Sequence, residues 1–181
     1  MRLARFLLPI LCLGCAPGSE LSASLIPDGS DPKATMKVAS VFDEGEAIPD
    51  KYSSYQENLS PPVSWSGAPE GTQSIALLVD DTDAPGTAFV HWSSINLEGD
   101  SLAEGASTGT LNGKNDAGDA TYLGPKPEAG PEEHHYRFRV FALDQKLTLS
   151  PGYDPGEFEV AASGHVLALG QLTGTYRRKS P

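Results

Sequence analysis

The chain is predicted to fold as a mainly β domain, built from short strands and turns with few helices. Three observations carry this. Glycine (19 residues) and proline (15 residues) punctuate a chain of 181 residues whose apolar segments are short, a composition that favours many strands over a helical bundle. The run Ile75-Ala76-Leu77-Leu78-Val79 is apolar without alternation, as in a strand buried on both faces. The run Tyr136-Arg137-Phe138-Arg139-Val140-Phe141-Ala142-Leu143 is a second clear strand. If it begins two residues earlier, period-two alternation puts His134, Tyr136, Phe138 and Val140 on one face.

Length fits one domain. The formal net charge is −11, which argues against nucleic acid as a partner and against electrostatic binding to anionic lipid. No repeat and no heptad pattern is present.

Residues 1–15 read as a targeting segment. Arg2 and Arg5 precede a short apolar stretch, Phe6 to Leu13. Spanning a bilayer takes about 20 apolar residues, so the segment is a signal peptide rather than a membrane helix. Cys12-Leu13-Gly14-Cys15 resembles a bacterial lipobox, although Cys12 is an unusual occupant of its position. The resemblance implies cleavage before Cys15, lipid on its sulfur, and an exported protein anchored to the cell envelope. Cleavage removes Cys12, so no intrachain disulfide forms, and with the loss of Arg2 and Arg5 it lowers the net charge to near −13, 11 basic against 24 acidic residues. Residues 16–35, rich in Ser, Pro, Gly and Asp, read as a flexible tether with a mean reach of about 20–25 Å. Residues 36–181 read as the folded domain.

Within it, Met36 to Phe42 is expected as a first strand and Asp43-Glu44-Gly45 as a turn. Pro49 to Ser60 reads as loop. Ser60-Pro61-Pro62-Val63-Ser64-Trp65 reads as extended chain, since proline excludes helix there. Gly67 to Thr72 turns into the apolar strand, which delivers Asp80-Asp81-Thr82-Asp83 to the rim of the core. Asp83-Ala84-Pro85-Gly86 is a turn, and Ala88 to Leu97 is the next strand, with His91 near its start. Glu98 to Ala120 is polar and reads as a long surface loop. Tyr122-Leu123-Gly124-Pro125-Lys126-Pro127 reads as rigid and exposed. Near the end a helix is expected from Asp154 as N-cap, with Pro155 in its first turn. Its apolar stripe runs through Phe158, Ala162, His165/Val166 and Leu169. Gly164 falls inside it, at a cost of about 1 kcal/mol, and Gly170 is its stop.

The chemistry concentrates in Asp81, His91, His134 and Tyr136. A carboxylate beside an imidazole fixes its tautomer and favours its charged form, leaving the outer N–H to donate to an anion such as phosphate. Unrelated polar residues at a rim are the plainer alternative. No metal site is predicted: the adjacent His134 and His135 of a strand point to opposite faces. A calcium loop starting at Asp81 would need an acidic residue where Trp92 stands. Gly105-Ala106-Ser107-Thr108-Gly109 matches a nucleophile-elbow pattern, but that motif needs a strand before it and a helix after it, and here both flanks read as polar loop. No cofactor is called for.

Taken in order, these residues resemble the phosphatidylethanolamine-binding protein family, whose bacterial branch is called Raf kinase inhibitor-like. The resemblance rests on Asp81-Thr82-Asp83-Ala84-Pro85, His91-Trp92, Gly124-Pro125-Lys126-Pro127 and His134-His135-Tyr136. Asn58-Leu59-Ser60-Pro61-Pro62 with Trp65, Glu104-Gly105, Asn115-Asp116, Ala142-Leu143-Asp144, Gly164-His165-Val166-Leu167-Ala168 and Gly174-Thr175-Tyr176 extend it from about Met36 to Arg178. It implies an antiparallel two-sheet Greek-key core with a few short helices, one near the C-terminus. It also implies a small anion pocket made by Asp81, His91, His134 and Tyr136, walled by the backbone of Gly124 and Pro125. Thr82 departs from the family's usual proline, which is expected to loosen that turn. Lys126 and Glu128 depart from the usual cysteine and second proline, and alter the rim.

The leading expectation is a membrane-tethered, non-enzymatic domain that binds a small phosphate- or carboxylate-bearing ligand, such as a phospholipid headgroup. A protein-interaction module that inhibits a kinase or protease is the alternative. A hydrolase using the His/Asp pocket ranks third, for want of a nucleophile beside it.

Overall fold

A computed structural model describes residues 36–178. The signal segment, Cys15 and the tether lie outside the described residues. Eight strands and one α-helix make two antiparallel sheets. The larger has the order β6-β4-β3-β7-β8, with β3 Ser74–Asp81, β4 Phe89–Leu97, β6 Leu111–Asn112, β7 His134–Leu143 and β8 Val166–Tyr176. The smaller has the order β1-β2-β5, with β1 Lys37–Ala39, β2 Val63–Ser66 and β5 Ser101–Leu102. No helix among the described residues is long and apolar enough to cross a membrane.

The central strand β3 is buried at all eight positions, as its unbroken apolar run requires. Its two faces feed two cores. Ile75, Leu77 and Val79 pack with Trp65, Trp92, Tyr136, Phe138 and Val140 between the sheets. Ala76 and Leu78 pack with Phe141, Leu143 and Phe158 beneath the helix. The alternation along β7 divides Phe138 and Val140 from Phe141 and Leu143 in the same way.

The helix α1 spans Pro155–Ala162, shorter than the apolar stripe suggests. Glu157 closes its N-terminus by accepting the Asp154 backbone N–H at 2.8 Å. Gly164, at φ +77°, stops it just past its last turn, where the left-handed conformation favours glycine. The residues beyond, Val166 to Leu169, are strand β8 instead of helix. They are claimed by a ladder that pairs β8 with β7 along its length. Gly170 is therefore a place of close approach rather than a helix stop: a Cβ there would lie 2.7 Å from the Met36 carbonyl oxygen. The chain from Met36 to Ile48 covers the outer edge of β8, with Met36 N–H donating to Leu169 O (3.0 Å) and Ile48 N–H to Thr175 O (2.8 Å). That cover removes an exposed sheet edge, and it shortens the expected first strand to three residues. At the far end of β7, Asp144 accepts from His165 at 2.8 Å, which fastens the turn leading into β8.

Two further expectations are corrected. Residues 98–120 are not a free surface loop. They contribute β5, β6 and a 3-10 turn over Ala106–Thr108. Ser107, Asn112 and Asn115 are buried, and Asn112 accepts the Trp92 indole N–H at 2.9 Å. Glu104 ties this segment to the 3-10 turn Asp50–Tyr52 by accepting from Lys51 Nζ and Tyr52 Oη, both at 2.6 Å. The stretch Tyr122–Pro127 is likewise mostly buried, with only Lys126 facing water.

Candidate functional site: a polar cluster at one end of the larger sheet

The C-terminus of β3 and the N-termini of β4 and β7 meet at one end of the larger sheet. Asp81 pairs with Tyr136 on one side and Phe89 on the other. This register brings three of the four polar site residues together. His134, two positions before Tyr136 on β7, lies on the same face. Its Nδ1 sits 2.7 Å from Asp81 Oδ2. The carboxylate accepts, so Nδ1 carries the proton. Asp81 Oδ1 in turn accepts the Asp83 N–H at 2.9 Å. The adjacent His135 points the other way, to Asp83 at 2.8 Å. Burial opposes ionisation of Asp83, but hydrogen bonds from the His135 ring and backbone outweigh it and hold its carboxyl below the usual range.

Asp80 turns to the opposite face. It is 1 % exposed and is taken up by Arg137 and by Arg139, the latter at 2.8 Å. The four-residue acidic run thus divides into one pocket carboxylate, one core ion cluster and one turn partner. Thr82 gives the turn a tie to β7. Its N–H donates to His135 O at 3.1 Å, a bond that proline has no donor to make.

His91 reaches the pocket by a different device. Val79 pairs with Trp92 and Asp80 with Val90, so His91 is an extra residue in β4, a bulge. A bulge re-aims side chains locally. Here His91 and its neighbour Trp92 both pack toward the inter-sheet side, His91 edge-on to Tyr136 with ring centroids 5.1 Å apart and Trp92 against Tyr122. His91 Nδ1 donates to Leu123 O at 2.7 Å. The ring is 4 % exposed. Burial lowers its pKa, against the bond to Leu123 and the charges of Asp81, Asp116 and Asp80, and favours its neutral form. The imidazole that the Asp81 carboxylate holds is therefore His134, not His91.

Tyr136 lies between the two imidazoles, stacked near His134 at 6.5 Å. Its hydroxyl is buried and has no hydrogen-bond partner among the described residues. Burial pushes the phenol up, helped by the charge of Asp81 and by the approach of the hydroxyl to that carboxylate, so it stays a protonated donor. Gly124 and Pro125, the expected wall of the site, are buried and directly follow Leu123, whose carbonyl holds His91. Gly124 N–H donates to Asn58 Oδ1 at 2.7 Å, and a Cβ at Gly124 would strike the Tyr52 carbonyl oxygen and come within 2.9 Å of Asn58 Oδ1. Only glycine fits there.

Sequence reasoning missed the residues that hold these in place: Leu123 through its carbonyl, Phe89 against His91 at 4.9 Å, and Asn58 with Tyr52 behind Gly124. Asn58 stands in a left-handed conformation (φ 56°) just before two prolines, the one local sign of a special role. Ser107 is 6 % exposed, and its N–H is engaged by Ser60 Oγ at 3.2 Å. The strand before it is two residues long and a 3-10 turn, not an α-helix, contains it, so the elbow pattern is coincidental.

Three comparisons place the chain. The UPF0098 protein PH1269 of Pyrococcus horikoshii is 37 % identical over 181 aligned residues, covering 95 % of this chain and 86 % of that one. A Mycobacterium tuberculosis protein named as a lipoprotein, LppC, is 36 % identical over 139 residues, covering 75 % of this chain and 69 % of its own. The crystal structure of the phosphatidylethanolamine-binding protein homologue CT736 from Chlamydia trachomatis superposes with a TM-score of 0.75 at 35 % identity, covering 80 % of this chain and 99 % of that one. The model of the family described as phosphatidylethanolamine-binding protein matches residues 38–177, and the chain belongs to that family.

Proposed function

We propose that this protein is an envelope-anchored binding domain whose pocket takes the phosphate or carboxylate group of a small ligand, with a phospholipid headgroup as the model occupant. The observation that carries the reading is the Tyr136 hydroxyl, buried beside the Asp81–His134 pair and with no close hydrogen-bond partner among the described residues. A buried hydroxyl left unpaired costs about 1–3 kcal/mol, and an oxyanion oxygen in the pocket would offset that. Asp81 orients His134, Tyr136 donates, and the backbone at Gly124 and Pro125 bounds the space. The family's name and the lipoprotein named among the relatives support the two halves of the reading, ligand and anchor. Binding is favoured over hydrolysis because the serine of the elbow pattern, Ser107, is buried and makes no hydrogen bond to Asp81, His91 or His134 among the described residues.

Native mass spectrometry of the purified protein tests the ligand: a co-purified small anion lost in Tyr136→Phe is expected, and bare protein that binds no added phosphoethanolamine would sink the reading. Cys15→Ser tests the anchor separately. It should abolish fatty-acid labelling and release the protein from membranes, and unchanged membrane fractionation would rule out lipidation at Cys15.

A further inference from the structure

We infer that the pocket selects a ligand that brings a hydrogen-bond donor to His91, a singly protonated phosphate in preference to an oxyanion with no proton to give. This rests on the oxyanion reading above and narrows it to phosphomonoesters, since the phosphodiester of an intact phospholipid has no P–OH to give.

The geometry of His91 carries the argument. Its Nδ1 faces the Leu123 carbonyl at 2.7 Å. A carbonyl can only accept, so the ring's proton is at Nδ1 and Nε2 is left as a lone pair. The ring cannot turn to reverse this, since it is 4 % exposed and held between Phe89 and Tyr136. The charged and titratable groups around it are Asp80 and Asp81 from β3, Asp116 from the segment after β6, and His134 and Tyr136 from β7. Asp80 is neutralised by two arginines, and Asp116 is engaged by the Val90 N–H at 2.7 Å. Burial outweighs the carboxylates and lowers the pKa of the imidazole, which favours its neutral form.

The site therefore sets two acceptors, His91 Nε2 and the Asp81 carboxylate, beside the Tyr136 hydroxyl and the outer nitrogen of His134. A ligand of acceptors only would face a lone pair and a negative charge. A phosphate monoester carrying one proton donates through its P–OH to His91 while another oxygen accepts from Tyr136. Sites that hydrogen-bond a donor reject an analogue lacking it by factors that reach about 10⁴.

Phosphoethanolamine and ethanolamine O-sulfate separate the possibilities at pH 6, because the two share a shape and differ in the ester proton. A phosphomonoester with a second pKa of about 6 is roughly half monoprotonated at that pH, and about one part in a hundred at pH 8. Calorimetric titration of the wild-type protein should show phosphoethanolamine binding at least about tenfold tighter than the sulfate ester, with an affinity that drops by up to about fiftyfold at pH 8. In the complex, the ¹⁵N signal of His91 Nε2 should be that of an unprotonated nitrogen. Equal affinity for the two esters, or a protonated Nε2, overturns this inference and leaves the oxyanion site standing. Binding of neither ester overturns both.

Discussion

Tyr136→Phe is expected to make the unliganded protein more stable and its ligand binding weaker. The side chain is 1 % exposed and its hydroxyl has no partner among the described residues. Phenylalanine keeps the ring, and with it the contacts to His91 and His134, and removes only the oxygen. An unpaired buried hydroxyl costs about 1–3 kcal/mol. Deleting it should return about 1 kcal/mol or more, which at this chain length raises Tm by about 2–4 °C per kcal/mol. The same deletion removes a donor to a charged oxygen, worth about 1.5–3 kcal/mol, so affinity for phosphoethanolamine should fall by roughly tenfold to a hundredfold. Chemical unfolding without ligand and calorimetric titration with it give the two numbers. A loss of stability in the unliganded variant would refute the reasoning, because it would mean that the hydroxyl is already satisfied in the empty pocket.

Gly124→Ala should destabilise the fold by about 1–3 kcal/mol, the scale of overpacking. The new methyl meets the Tyr52 carbonyl and Asn58, and a wild-type melting curve would disprove the contact. Stability should decline as pH falls below about 6.5. His91 has a depressed pKa in the folded state, so the unfolded chain takes up its proton first. Its contribution is fully present above the unfolded pKa and is lost as pH drops toward the folded one, by at most about 1.4 kcal/mol per pH unit. Urea titrations at pH 7 and pH 5 should show the decline in wild type and a smaller one in His91→Gln; equal declines would assign the effect to other groups. Asp80→Ala should cost about 3–5 kcal/mol, since it leaves Arg139, 2 % exposed, as an uncompensated buried charge. A variant within 1 kcal/mol of wild type would show the cluster to be solvated.

Much of the fold and most of the pocket are legible in the order of residues. The run Ile75–Val79 can satisfy its apolar side chains only inside a core with two faces, and β3 is buried throughout. The alternation in β7 places His134 and Tyr136 on one face whatever the rest of the chain does. Asp81, at the C-terminal end of that apolar run, has to emerge at a rim.

What depended on partners was not legible. Val166-Leu167-Ala168-Leu169 suits a helix by spacing and residue type, and becomes β8 because β7 on one side and the chain from Met36 to Ile48 on the other supply its hydrogen bonds. The segment Tyr122–Pro127 has the composition of an exposed loop and is buried by contacts with residues about 70 positions earlier. Thr82 reads as a weakened turn until the carbonyl of His135 stands opposite its N–H.

By itself, then, the sequence determined the β class, the strands that carry Asp81, His134 and Tyr136, and the family, because periodicity and motif order are properties of neighbours along the chain. Only the tertiary structure decided which histidine Asp81 holds, that His91 is a bulged residue whose pKa burial lowers, and that the Tyr136 hydroxyl is buried with no close partner among the described residues. Those are properties of strand register and desolvation, and both arise only when distant segments pack.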